Sequence, residues 1–377
     1  MMEPKKINPK QLKKARLSRG LTMAELAKQS GVSRQSISKY EMGTTEPRGE
    51  SLVKLMAVLK YPANFFTKEI NSDKNMGTIF FRSQAASTDR LRNMQATRLD
   101  FVSDIYNLTK KFIDYPNVNL PKLIDKNIAD ISNNDIERMA QKVRELWKLG
   151  NAPINNVSNV LEVNGIVISE ANMSSSKLDA VSSIIDGTPF IVLTNNNESA
   201  VRRRFNEAHE LGHILLHTYV DSIFSFNNKE YKNLLEKQAN YFASCFLMPS
   251  DSFSDSLIST SVDYLKQMKL EWKVAISAIA YRAHQLELIT DDQYLYLNKK
   301  ISYNKWRKVE PYDTGAEAIS VERPTLFNKS LQLILDNQLM SESELIDETG
   351  FPVDELEKIF DHEFRSKNND IPMLRII

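Results

Sequence analysis

His209 and His213 stand four residues apart with Glu210 beside the first, in the stretch Arg204-Phe205-Asn206-Glu207-Ala208-His209-Glu210-Leu211-Gly212-His213. Four residues make about one turn of an α-helix, so both imidazoles face the same way and can converge on one metal ion. A carboxylate next to such an ion can take a proton from the ion's water and hand it to a leaving amine, the chemistry of metal-assisted peptide hydrolysis. Two ligands do not close a site, and so short a pattern also arises by chance on an amphipathic helix with two surface histidines. The surroundings must decide.

A third donor decides the class of site. His217 continues the same face but lies about 12 Å along the axis from His209, whereas ligands sit only about 2 Å from a zinc ion. Its expected role is packing or support. The better candidate is Glu236, which opens the run Glu236-Lys237-Gln238-Ala239-Asn240-Tyr241-Phe242-Ala243 and leads on to Leu247-Met248-Pro249. Asn240 lies one turn further on the same face, where it can hydrogen-bond a ligand imidazole and fix its orientation. Small Ala239 and Ala243 permit close packing against the histidine helix.

These two blocks together resemble the ImmA/IrrE metallopeptidase family, and the likeness extends to Leu178-Asp179-Ala180, Pro189-Phe190-Ile191, Trp272-Lys273-Val274 and Trp306-Arg307-Lys308-Val309-Glu310-Pro311. It implies a zincin-like α+β domain with zinc ligands His209, His213 and Glu236 and with Glu210 as the base. Two histidines and a carboxylate with open positions also suit Mn2+ or Fe2+. Glu210 would then take the proton of the metal's water and return it to the amine while the metal polarises the scissile carbonyl.

Elements must position these groups. Asp135 to Leu149 and Val157 to Val163 read as helices, then the period changes. Ile166 to Ile168, Ala180 to Ile185 and Pro189 to Leu193 read as short strands, with Asp186-Gly187 as the turn between the last two. An edge strand near the metal can hold an extended peptide by main-chain pairing. Beyond the site, Ser261 to Tyr296 reads as packed helices, on which Tyr281, Arg282 and His284 either border a substrate groove or form a polar face. Cys245 reads as a small buried hydrophobe.

A second chemistry sits near the start. Thr22-Met23-Ala24-Glu25 has a helix-capping box, Gly31 supplies a turn, and Ser33 can cap a second helix. That helix would expose Arg34, Gln35, Ser36 and Lys39 and turn Val32, Ile37 and Tyr40 inward. Gln35 can pair with adenine, Arg34 with guanine or phosphate, and Lys39 with phosphate. Leu21 to Gly43, with its Tyr40-Glu41-Met42-Gly43 ending and Glu46-Pro47 beyond, resembles the helix-turn-helix of phage repressors of the Xre (Cro/C1) type. One such unit reads a half-site, so a homodimer on a double-stranded DNA operator is expected. Leu91, Met94, Arg98, Phe101, Ile105, Leu108 and Phe112 form either a short heptad seam or the buried face of a core helix, the latter favoured by its length.

Charge agrees with this division. The 377 residues carry a net charge of only +1, yet residues 1–68 hold 14 lysines and arginines against 5 acids, and the remainder 35 against 43. A basic head on a mildly acidic body points to a polyanionic partner for the head alone. The single cysteine excludes an internal disulfide framework, no apolar run approaches the roughly 20 residues that span a bilayer, and the start lacks the apolar core of a secretion signal. A cytoplasmic protein with no membrane partner is expected. Near the end, Ser341, Glu344 and Gly350 fall at the offsets of Thr22, Glu25 and Gly31. This second helix-turn-helix pattern is acidic, which suits protein docking better than phosphate and raises the idea that it competes with DNA for the basic head.

The expected architecture is mainly α with a small β-sheet: an all-α helix-turn-helix bundle (1–68), a linker and amphipathic helix (69–130), the α+β metallopeptidase-like domain (131–315) and an acidic helical region (316–377). The expected function is a DNA-binding transcriptional regulator that cleaves a repressor, a partner or itself, to control a phage, mobile-element or stress operon. For self-cleavage the expected place is an exposed linker at Phe80 to Ser87. The alternative is a repressor or antitoxin whose metal domain senses a signal without cleaving.

Overall fold

Thr22 accepts a hydrogen bond from the Glu25 amide, and Glu25 returns one from the Thr22 amide. This capping box starts the second helix of an N-terminal bundle made of α1 (Pro9–Ser18), α2 (Met23–Ser30), α3 (Arg34–Glu41), α4 (Glu50–Leu59) and α5 (Ala63–Thr67). Gly31, at φ 70°, ends α2 in the left-handed region that glycine adopts without penalty. Ser33 then caps α3 by accepting from the Ser36 amide. Leu12, Ala15, Leu26, Ile37, Leu55 and Leu59 are fully buried between these helices. The computed structural model describes residues 6–69, 74–75, 77–81, 89–171, 180–194, 198–218 and 229–364, and over them the chain is mainly α with a small β-sheet.

The long helix α6 (Asp89–Thr109) is a core helix and not a free seam. Leu99, Phe101, Val102 and Ile105 are buried within the chain, while Phe112 lies past the helix end and is exposed.

The sheet has the order β1-β3-β4-β2, built from β1 (Phe80–Phe81), β2 (Val167–Ala171), β3 (Ala180–Ile185) and β4 (Thr188–Thr194). β3 and β4 form a hairpin whose turn residues Asp186 and Gly187 both have positive φ, 49° and 78°, which matches the right-handed twist of paired strands. β2 runs parallel to β4, and β1 antiparallel to β3. The strands read as near-continuous apolar runs because both faces are covered. Ile168, Ala180, Ile191 and Leu193 point into one core, and Val167, Val181, Phe190 and Val192 into another.

The first core is that of the metal-motif region. It is filled by α7 (Asn133–Leu146), α8 (Val157–Val163), α9 (Ala200–His217), α10 (Lys229–Leu247), α11 (Ser250–Ser256), α12 (Val262–Trp272), α13 (Ile276–Gln285) and α14 (Asp291–Tyr303). The second core joins the N-terminal bundle, α6, the opposite sheet face and the C-terminal helices α15 (Leu326–Asp336), α16 (Glu342–Thr349) and α17 (Val353–Phe360). The repeat seen in the sequence is structural: Ser341 and Glu344 form a capping box like that of Thr22 and Glu25, and Gly350 ends α16 at φ 64°.

Two expectations change here. The acidic copy docks on the basic bundle, but through Arg19, whose guanidinium meets Glu355 at 3.0 Å and Asp354 at 3.6 Å. Phe351 packs on Phe65 at 5.8 Å between ring centroids. Arg34, Gln35 and Lys39 remain exposed, so this contact does not cover the face expected to meet DNA. The linker also differs from expectation, since Phe80 is buried in β1. Arg82 to Ser87, Leu178 and Asp179 lie outside the described residues.

Candidate functional site

α9 is an unusual helix because most of its polar side chains are buried along with its apolar ones. Arg203, Arg204, Asn206, Glu207, His209, Glu210, His213 and His217 are all inaccessible or nearly so. Buried polar groups are costly without partners, and α9 is surrounded by them. Arg203 meets Glu170 at 2.5 Å. Arg204 pairs with Glu322 and donates to the Ile154 carbonyl. Glu207 accepts from Ser158 at 2.6 Å, and burial still pushes its carboxyl up to about 8 against that bond and the nearby Arg203. These contacts fix the rotation of the helix.

The ring nitrogens can be assigned from this network. Gln238 donates its amide to the carbonyls of Ile128 at 2.8 Å and Ile131 at 3.2 Å, so its oxygen faces His217 Nε2, 3.0 Å away. His217 must therefore donate from Nε2 and accept at Nδ1. Burial, and then the neighbouring His213, hold it well below the usual histidine range and keep it neutral. His213 Nδ1, 2.9 Å from His217 Nδ1, is then the donor of that pair. In the same way Asn240 Oδ1 accepts from His209 Nδ1 at 2.9 Å. Nε2 is thus the unprotonated nitrogen of each ring, with its lone pair available to a metal.

Those lone pairs face each other at 3.0 Å. The carboxylate of Glu236 approaches them at 3.5 Å from His209 Nε2 and 3.6 Å from His213 Nε2, and its buried Oε1 has no hydrogen bond. Three electron-rich groups at such separations repel unless a cation lies between them. Donors about 2 Å from a tetrahedral ion stand about 3.3 Å apart, close to what is found. Among the described residues this trio forms a cluster of metal-ligand type, with donor atoms all within 4.8 Å. The residues fit a divalent ion, and a set of three protein donors leaves positions for water and substrate.

Glu210 follows His209 on the same helix and is fixed from the sheet, where Ser182 Oγ of β3 donates to its Oε2 at 2.5 Å. The site also has a lid from the chain itself. Phe80 of β1 stacks on the His213 ring, with centroids 5.0 Å apart and planes inclined by 8°, and leans on His217 at 6.0 Å.

α9 and α10 approach closely at Gly212. A Cβ there would meet Phe242 Cδ1 at 3.1 Å and the Ala239 Cα at 3.3 Å. This contact sets the distance from the histidines to Glu236. Beside Asn240 opens a cavity of about 470 Å³ that is bordered by Phe205, Tyr281 and Trp306 and by the cationic Arg202, Lys237 and Arg307.

The structure brings His209, His213, Glu236 and Asn240 together, with Glu210 alongside. His217 stands behind His213 as a buffer against the core. Of the three groups weighed for a groove, only Tyr281 lines the cavity. Arg282 turns inward to the Met248 carbonyl and Glu137, and His284 pairs with Asp291. Cys245 is buried as expected, but its thiol donates to Glu137 at 2.9 Å, so it is more than an apolar filler. Ser182, Gln238 and Phe80 were not anticipated. Ser182 and Ser183, buried serines in an apolar strand, were the one visible hint.

On the N-terminal bundle, Arg34, Gln35 and Lys39 lie exposed on α3. Ser36 is half-buried and within 2.9 Å of the Ser33 hydroxyl, so its hydroxyl belongs to the cap.

Two family models match the chain, in the order of its two chemistries. Residues 12–66 match a helix-turn-helix model. Residues 161–284, which include the trio, Glu210, Asn240 and strands β2 to β4, match the peptidase M78 model described as an IrrE N-terminal-like domain. A helix-turn-helix DNA-binding domain is thus fused to an IrrE/ImmA-like peptidase domain. Among the described residues no helix is long and apolar enough to cross a membrane.

Proposed function

We propose that this chain is a transcriptional regulator that reads double-stranded DNA through α3 and hydrolyses a peptide bond at the centre made by His209, His213 and Glu236, its target being a repressor protein. The observation that carries the catalytic reading is the convergence of two unprotonated Nε2 atoms and the Glu236 carboxylate, with Glu210 held alongside by Ser182. A divalent ion there, zinc in the first instance, supplies Lewis acidity and an acidified water. Asn240 and His217 hold the two imidazoles in the ligating tautomer. Glu210 holds the proton taken at the site and delivers it to the leaving amine, and Ser182 keeps its carboxylate from swinging away. A purely sensory metal site has no use for a carboxylate so placed.

The test is Glu210→Gln. The variant should keep its metal, measured by elemental analysis, and lose cleavage of every protein whose fragments appear by mass spectrometry when the wild type is expressed in its own cells. Loss of metal would make Glu210 a ligand, and unchanged cleavage would end the catalytic reading in favour of a sensor.

For DNA, the exposed Arg34 and Gln35 at the capped start of α3, with the exposed Lys39 in its last turn, suit major-groove contact. One unit covers a half-site, so the regulator is proposed to act as a homodimer in the cytoplasm. Replacing Arg34 and Gln35 together by alanine should weaken operator binding by about 10- to 100-fold, the worth of one or two base contacts, in a mobility-shift assay at fixed salt, with metal content unchanged.

A further inference from the structure

β3 presents the sheet edge nearest the metal trio, and that edge is occupied. Phe80 pairs with Ser182 and Phe81 with Val181, antiparallel. The Gly77 amide donates to the Ile184 carbonyl at 2.8 Å, and the Ser183 hydroxyl to the Gly77 carbonyl at 3.3 Å. Phe80 is opposite the serine that fixes Glu210, and its ring covers His213. An extended strand lying along β3, with one aromatic ring on a metal-ligand candidate, is the position a peptide bound by strand addition would take.

The approach is also sterically specific. A Cβ on Gly77 would fall 2.9 Å from the Ile184 carbonyl oxygen, a backbone atom that cannot step aside. The strand enters from fixed anchors: Lys74 reaches Asp100 at 2.9 Å and Asp104 at 2.5 Å, and the Asn75 amide donates to Asp186 at 2.8 Å. The segment is thus held at both its entry and its aromatic contact.

We propose that the chain's own Gly77–Phe81 segment is bound at β3 as a target would be, so that it competes for the site, and that the site takes extended peptides with a large aromatic side chain preceded, three residues earlier, by a residue without a Cβ. The term target rests on the peptidase reading above; the docking itself does not. Opening the site therefore requires β1 to leave the edge of β3, and the residues that favour its staying are Gly77 and Phe80.

The probe is a fluorescein-labelled peptide copying residues 74–81, used on the full-length chain without added metal and read by fluorescence anisotropy. Gly77→Val and Phe80→Ala should each bind it at least tenfold more tightly than the wild type, whose edge is filled. A peptide with alanine at the position of Phe80 should lose that gain. Hydrogen exchange at the Ser182 amide, which faces β1, should be slow in the wild type and should quicken in both variants while the α9 amides stay protected. That last comparison identifies a variant that has simply unfolded, and the milder Phe80→Ala then carries the test. Equal peptide affinity in wild type and folded variants, or equal binding of the alanine peptide, overturns the proposal. Tight binding with no cleavage by metal-loaded Phe80→Ala would instead sink the peptidase reading and leave the docking standing. Cleavage of protein targets at the same rate by wild type and Phe80→Ala would sink the competition and leave the peptidase.

Discussion

Asn240 touches only one ring nitrogen, yet that contact decides which nitrogen of His209 is free. Asn240→Ala should lower metal affinity by about 10- to 100-fold, the usual cost of losing a partner that orients a ligand, in competition with a chelator of known strength. The melting temperature of the metal-free protein should barely move, because Asn240 is only half-buried. Residues of this kind were partly legible in the sequence. Asn240 shares a helix face with Glu236, so spacing alone put it near the site. Ser182 and Gln238 were not legible, since their contacts join segments 28 and 21 residues apart whose relative placement no local period encodes. His217 was legible in a negative sense: the rise of a helix removed it from the ligand set, and the fold then gave it the task of holding His213.

At the scale of elements, the position of α10 against α9 governs the site. Glycine in a helix interior costs about 1 kcal/mol relative to alanine, yet Gly212 sits in the middle of α9, where Phe242 and Ala239 would crowd even a Cβ at 3.1 to 3.3 Å. Gly212→Val should force the helices apart and carry Glu236 away from the histidines. Metal affinity should fall at least as far as in Asn240→Ala, and the metal-free protein should also melt earlier, which separates this variant from the residue-scale one. The helices themselves were readable from caps and periods: Val157–Val163 is found as expected, and the capping boxes at Thr22 and Ser341 form. The three strands of the metal-motif region were found too, because continuous apolar runs and an Asp-Gly turn mark them. β1 escaped notice since two paired residues have no period, and its burial depends on partners about a hundred residues away.

Over the whole molecule, the basic head and the acidic tail share one apolar core with the outer face of the sheet. Glu355 is its ionic pin, buried between Arg19 at 3.0 Å and Arg98 at 3.9 Å. Glu355→Ala takes this carboxylate from two mostly covered guanidinium groups and leaves Arg19 only the more distant, half-exposed Asp354. Breaking a fully buried pair costs about 3–5 kcal/mol, and the residual exposure of Arg19 reduces this to about 2 kcal/mol. Calorimetry should show the loss as an earlier transition, with metal content intact because the trio belongs to the other core. The opposite charges of head and tail were visible in the composition, but not that they meet at Arg19, away from α3.

The sheet covered on both sides has a mechanical meaning for a protein that reads DNA. Because α1 to α5 share one apolar core with α6 and, through it, with the sheet that carries the Glu210 support, the reading head is not a module swinging on a tether. A chain seated on an operator holds its metal centre at one height and one azimuth around the double helix. For a second protein bound on the same stretch of DNA, effective concentration is then set by geometry alone: the spacing between the two sites, counted in helical turns, decides whether the centre reaches it or faces away.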